Sequence, residues 1–177
     1  MSIRIYDTHA GEKRDFETIE PGKVRMYVCG VTPYARSHIG HARSALVYDL
    51  IYRYLRYSGL EVTYVRNFTD VDDKIIARAN EEGIEAPALA ARFIDTYHED
   101  MDALGVARPD QEPRVSTSMD AIIALVKRLI DRDMAYEVDG DVYYAVDRFD
   151  GYGKLSKKPL EDLEAGARVE VDSRKKN

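Results

Sequence analysis

"KVRMYVCGVTPYARSHIGHARSALVYDLIYRYLRYSGLEVTYVRN", Lys23 to Asn67, is the stretch that decides the fold. It opens by alternating: Val24, Met26 and Val28 stand between charged or polar neighbours, the period of a half-buried strand, and Gly30 stops the run. After Pro33, Ser37 is placed to cap a helix that continues to about Ser58, where Gly59 supplies a stop. On that helix Ala42, Leu46, Leu50 and Tyr54 share a face, widened by Val47, Ile51 and Leu55. "LEVTYVRN", Leu60 to Asn67, reads as a second strand. Strand, long helix, strand is the βαβ unit of a parallel sheet, whose ligands gather at the carboxyl ends of the strands. The expected fold class is therefore α/β. Cys29, Gly30, Asn67, Thr69 and Asp70 fall along one rim.

Working outward, a helix is expected from Asp70 or Val71 to about Glu82, closed by Gly83. Another is expected over roughly Pro87 to Leu104, with Leu89, Phe93, Tyr97, Met101 and Leu104 facing inward. Beyond a turn-rich stretch, Ser118 can cap a helix carrying Met119, Ile122, Ile123, Val126, Leu129 and Ile130. "MAYEVDGDVYYAV" then reads as a hairpin about Asp139-Gly140. A helix and hairpin after a βαβ core have the character of an insertion. The expected division is residues 1–115 as the N-terminal half of a Rossmann-type domain and 116–177 as the start of a connective insertion of helix and β-hairpin, truncated.

A chain of 177 residues makes one domain, or one domain with an insertion. With 45% apolar and 33% charged residues its composition is that of an ordinary soluble protein. No run approaches the roughly 18 apolar residues of a membrane span, and the N-terminus lacks a signal-type apolar core. One cysteine excludes an internal disulfide and fits a reducing compartment, so a cytoplasmic location without membrane contact is expected. A net charge of −6 argues against wrapping nucleic acid over the whole surface; any such contact must be local.

Three clusters carry chemistry. His38 and His41 lie at i and i+3 in the first turn of the long helix, with Gly40 between them. A helix N-terminus favours phosphate, and two imidazoles there can donate further bonds to phosphate oxygens. The same pair can equally serve capping and packing, or ligate a metal. Cys29 is open to three readings: a small core residue, a nucleophile near a base, or a metal ligand needing partners. Asp70, Asp72 and Asp73, beside Lys74, suit either an acidic metal site or a helix's first turn.

Together these residues resemble a known family. "MYVCGVTPYARSHIGHAR" followed by "YVRNFTDVDDKIIARANEEG" is similar to the N-terminal half of bacterial cysteinyl-tRNA synthetases, and the likeness runs from about Ile5 through "GARVEVDSRKKN". His38-Ile39-Gly40-His41 matches the HIGH signature of class I aminoacyl-tRNA synthetases letter for letter. The resemblance implies a Rossmann-type catalytic domain with the HIGH motif at the first strand–helix junction. It implies activation of cysteine by ATP, with Mg, to cysteinyl-adenylate, then transfer to tRNA-Cys, by an enzyme that is monomeric in the family. On this likeness Thr32, His38, Ile39, Gly40 and His41 bind ATP, His38 and His41 being catalytic. Gly30 and Thr32 line the amino-acid pocket, and Cys29 is the first of four zinc ligands. Zinc prefers a soft thiolate to a neutral hydroxyl, which suits the separation of cysteine from serine.

The departures are equally informative. The family's other zinc ligands and its KMSKS loop have no counterpart here, and "GKLSKKP", Gly153 to Pro159, resembles KMSKS only superficially. The expectation is a fragment that stops inside the catalytic domain, with an incomplete sheet and no activity alone. Two other readings share these features: a ligase joining cysteine to an amino sugar, as in mycothiol synthesis, and a non-catalytic nucleotide-binding half-domain.

Overall fold

A computed structural model describes residues 3–157. The tail "GARVEVDSRKKN" and the last two residues of "GKLSKKP" lie outside that range. The chain divides into two compact units, one from Thr18 to Met119 and the other formed by the residues before and after it.

The central unit is built on β3 (Lys23–Val31) and β4 (Glu61–Phe68), preceded in the chain by β1 (Arg4–Asp7) and β2 (Glu12–Asp15) of the other unit. β3 and β4 pair in parallel, Val24 against Val62 through Val28 against Arg66, and the register slips between Val28 and Val31. The crossover between them is α1 (Ile39–Tyr57). The segment after α3 (Ala86–Ala103) returns along the far side of β4. Arg66 N–H donates to the Gln111 carbonyl at 3.0 Å and Phe68 N–H to that of Pro113 at 2.9 Å, a parallel contact absent from the expectation. Among the described residues no strand pairs the other edge of β3.

Alternation decides the faces. Val24 and Val28 of β3, with Tyr64, Arg66 and Phe68 of β4, point under the helices, whereas Arg25, Tyr27 and Cys29 point away from them. Phe68 packs with Ala42 and Ala45 of α1 and with Ile94, Tyr97 and Met101 of α3. α2 (Asp73–Glu82) docks on α3 through Ile75 and Ala79 against Leu89 and Ala90.

Helix α1 corrects two expectations. Its buried residues are Ala42, Ala45, Asp49, Tyr52 and Leu55, while Leu46, Val47, Leu50 and Tyr54 are exposed. The side chains at 42 and 45 are methyl groups, small enough for the first two turns to lie close on the sheet. Tyr52 then fills the wider gap against Tyr64, with ring centroids 5.3 Å apart. The N-cap is His38 rather than Ser37. In α3 the inward set is Leu89, Ala90, Ile94, Tyr97 and Met101, and Leu104 is exposed rather than inward.

The flanking unit holds two antiparallel pairs. β1 pairs with β2, which sequence periodicity did not suggest because neither strand buries a side chain. β5 (Ala135–Val138) pairs with β6 (Asp141–Tyr144) about Asp139-Gly140, following α4 (Met119–Asp131). No helix among the described residues is long and apolar enough to cross a membrane.

Candidate nucleotide site

The rim of the sheet is shaped by one asparagine. Asn67 is the last residue but one of β4, and its Oδ1 accepts from Gly30 N–H at 2.8 Å and from the Tyr27 hydroxyl at 3.0 Å. Its amide Nδ2 donates to Thr69 Oγ1 at 3.3 Å, and Thr69 N–H donates to the Val31 carbonyl at 3.0 Å. These bonds close the ends of the two strands together. A Cβ on Gly30 would collide with the Asn67 carbonyl oxygen, so only glycine fits where the register slips. Asn67 lay on the rim expected from sequence but had no role there. Its signal was a strand-averse residue in a β-rich run.

The chain then turns through Thr32 and Pro33 to the start of α1. His38 adopts extended backbone, and its Nδ1 accepts from Gly40 N–H at 3.0 Å. His41 answers it: His41 Nδ1 accepts from His38 N–H at 3.2 Å, and the two rings lie 4.0 Å apart. This is a reciprocal capping box made of two imidazoles, where helices more often use a hydroxyl and a carboxylate. Because both Nδ1 atoms accept, both rings are neutral with the proton on Nε2. Each therefore keeps an N–H donor beyond its cap. Gly40 leaves room for the His38 ring, since a Cβ there would lie 2.8 Å from His38 Cε1 and displace the ring from its cap.

The electrostatics agree with a neutral His41 ring. His41 is held below its ordinary value, first by partial burial, then by repulsion from His38 and Arg66. No acidic residue occupies the first turn of α1, so its amide end is not neutralised by a carboxylate. Lys74 Nζ sits 5.5 Å from the Tyr34 ring centroid, which brings one more cation to the loop before the helix. Together they form a turn suited to anionic oxygens.

The remaining candidates separate from this turn. Cys29 is exposed and lies on the sheet face away from the helices, which removes its reading as a core residue. Its thiol is 3.9 Å from the Gly30 carbonyl oxygen. Among the described residues no three His, Cys, Asp or Glu side chains are grouped to hold a metal. The donors present do not fit a closed four-ligand zinc site, and Cys29 with His38 and His41 does not form one. The aspartates have structural partners. Asp70 accepts from Ser116 N–H at 3.0 Å and from the Ser116 hydroxyl, which ties the end of β4 to the segment beside it. Asp72 caps α2 by accepting from Lys74 N–H at 2.9 Å, and Asp73 stands in that helix's first turn.

Two buried groups escaped the sequence reading. Asp49 on α1 accepts from Arg53 Nε at 2.8 Å and from Ala107 N–H at 3.1 Å, fixing the helix to the loop after α3. Arg66 is only 6% exposed, and its Nε has no hydrogen-bond partner among the described residues. A charged residue inside an otherwise apolar strand face was the available signal.

The family described as the class I (C) tRNA synthetase catalytic domain matches residues 15–177. Proteins described as cysteine–tRNA ligases match the whole chain, at 55% identity in Syntrophobacter fumaroxidans and 58% in Anaeromyxobacter dehalogenans. The chain spans 36% of the first relative's length and 37% of the second's. Among solved structures, Mycobacterium tuberculosis methionyl-tRNA synthetase in complex with methionyl-adenylate aligns with a TM-score of 0.58 at 24% identity. It covers 64% of this chain and 22% of its own. That likeness concerns the fold.

Proposed function

Because the chain belongs to the class I (C) tRNA synthetase catalytic-domain family, we propose that it contributes the ATP-binding half of a cysteine–tRNA ligase. The observation that carries this reading is the imidazole capping box. Two neutral rings spend Nδ1 on the helix cap and keep Nε2–H for a ligand, at a helix end without a neutralising acid.

In the proposed reaction the cysteine carboxylate attacks the α-phosphorus of ATP. The bond from that phosphorus to the bridging oxygen breaks, and pyrophosphate leaves with its electron pair. Negative charge builds on the non-bridging oxygens as the phosphorus becomes five-coordinate. The Nε2–H groups of His38 and His41 donate to that charge, and donors of this kind are most effective when fixed beforehand. The capping box fixes them. Ile39 and Gly40 form the turn beneath the phosphates, and Thr32 and Gly30 border the amino-acid pocket. A ribose hydroxyl of tRNA-Cys then takes the cysteinyl group and releases AMP. Cys29 is proposed as a single zinc ligand; among the described residues it belongs to no group of three or more candidate ligands, and no step above passes through metal. Residues 116–177 are proposed to open an insertion into the catalytic domain, in a monomeric cytoplasmic enzyme.

A chimera tests this. Residues 1–177 would replace the corresponding part of the Syntrophobacter fumaroxidans relative, and cysteine-dependent ATP–pyrophosphate exchange would be measured. The expected result is exchange within about tenfold of the relative's own, a barrier difference of about 1.4 kcal/mol. A folded chimera with no cysteine-dependent exchange would refute the reading.

A further inference from the structure

We propose that Arg66 is a positioning residue of this phosphate site, a buried guanidinium with no carboxylate ion-paired to it among the described residues, whose fixed charge draws ATP's phosphates onto the His38 and His41 donors. The inference rests on the reading of that turn as the ATP site.

The placement follows from contacts. Arg66 sits on the helix-facing side of β4, with its guanidinium carbon 5.7 Å from the centroid of the Tyr97 ring. Tyr97 packs in one cluster with Ala42 and Ala45, and Ala42 directly follows His41 in α1. Arg66 also lines a small cavity with Tyr64, Tyr97, Arg108 and Glu112. The carboxylate of that cavity is already engaged: Glu112 Oε1 lies 3.0 Å from His98 Nε2. Among the described residues no carboxylate forms an ion pair with Arg66, and its Nε donates to nothing.

A buried cation without an ion-paired carboxylate is costly, and an apolar side chain of similar volume commonly makes the same core at least as stable. Folding therefore gives no reason for charge at this position. Its field does. In the low-dielectric interior a positive charge is screened little, and it adds to the positive end of α1 where the phosphates would sit. The same charge opposes a proton on His41, which supports the neutral ring with its Nε2–H donor. The titratable groups around this pocket include His38 at the cap, Tyr64 on β4, Tyr97 and His98 on α3, and Arg108 and Glu112 on the segment after it. Arg66 and Arg108 are its cations; its acids are Glu112, Asp49, which accepts from Ala107 N–H at the pocket wall, and Asp102, which holds Arg108.

The test is a histidine-ring NMR titration of the whole 177-residue chain, against pH and then against ATP, in the parent and in Arg66→Met, Arg66→Gln and Arg66→Lys. The two neutral variants should raise the His41 titration midpoint and require about fivefold more ATP to shift the His38 and His41 rings. Arg66→Lys, which keeps the charge, should match the parent in both. Thermal stability of Arg66→Met should equal or exceed the parent's, and Arg66→Gln serves if Met does not fold. A His41 midpoint and an ATP response unchanged in the neutral variants would overturn the proposal, as would Arg66→Lys behaving like them. Parent rings that ignore ATP would instead overturn the ATP-site reading, and this inference with it.

Discussion

His41 does two jobs with one ring, and they are separable by atom. Nδ1 accepts the His38 amide and Nε2 remains a donor, so protonating the ring would remove the acceptor and undo half of the cap. Folding lowers the affinity of His41 for protons, through burial first and then through His38 and Arg66. The unfolded chain, with its histidine near the ordinary value of about 6.5, then binds more protons than the folded one as pH falls. This contribution to stability is complete above about pH 6.5 and is lost as pH drops through the folded-state value. The protection factor of the His38 amide, which His41 Nδ1 accepts, should fall in that window. Protection unchanged from pH 7 to 5 would contradict the cap. The four-residue motif was legible from sequence as a phosphate turn or a cap, and the structure shows the cap directly. The choice of His38 over Ser37 was not legible, because ordinary capping preference favours a hydroxyl and ignores an imidazole's Nδ1.

Element boundaries were read well where glycine and periodicity agree, as in β3, α1 and β4. The orientation of α1 was not. Its sequence offers apolar residues nearly all round, so a stripe through Leu46 and Leu50 looked as good as one through Ala45 and Tyr52. What decides between them is tertiary: the sheet presents Phe68 and Tyr64, and only alanines near the first and tyrosine near the second fill the space. The third parallel segment beside β4 was missed for a related reason. It contains Pro109 and Pro113, which suit an edge but suppress a strand reading. The correction has measurable content. Leu50 is 69% exposed and Tyr52 is 5% exposed. Leu50→Ala should change unfolding stability by no more than about 0.5 kcal/mol, whereas Tyr52→Ala should cost about 3–5 kcal/mol in chemical denaturation. Equal effects at the two positions would restore the face expected from sequence.

At the scale of the whole molecule, the described residues include a βαβ core that carries the proposed phosphate turn; among them no strand pairs the other edge of β3, and Tyr27 is 64% exposed on the face away from the helices. It spans about a third of the length of the relatives it matches, so a complete active site is a property to be tested in a longer protein. The family was legible in two ordered segments because those residues meet at one rim. Cys29 stayed open in that reading, because a single exposed thiol says nothing of what it binds. The central claim is that His41's Nε2 serves the phosphate while its Nδ1 serves the fold, and one substitution separates the two. His41→Asn keeps an acceptor where Nδ1 was and removes the donor at Nε2. Introduced into the active chimera, it should leave the melting temperature within a degree or two, since the cap is worth only about 1 kcal/mol and is retained. It should slow cysteine-dependent ATP–pyrophosphate exchange by about 10²–10³. Exchange within a factor of two of the parent chimera's would contradict the account.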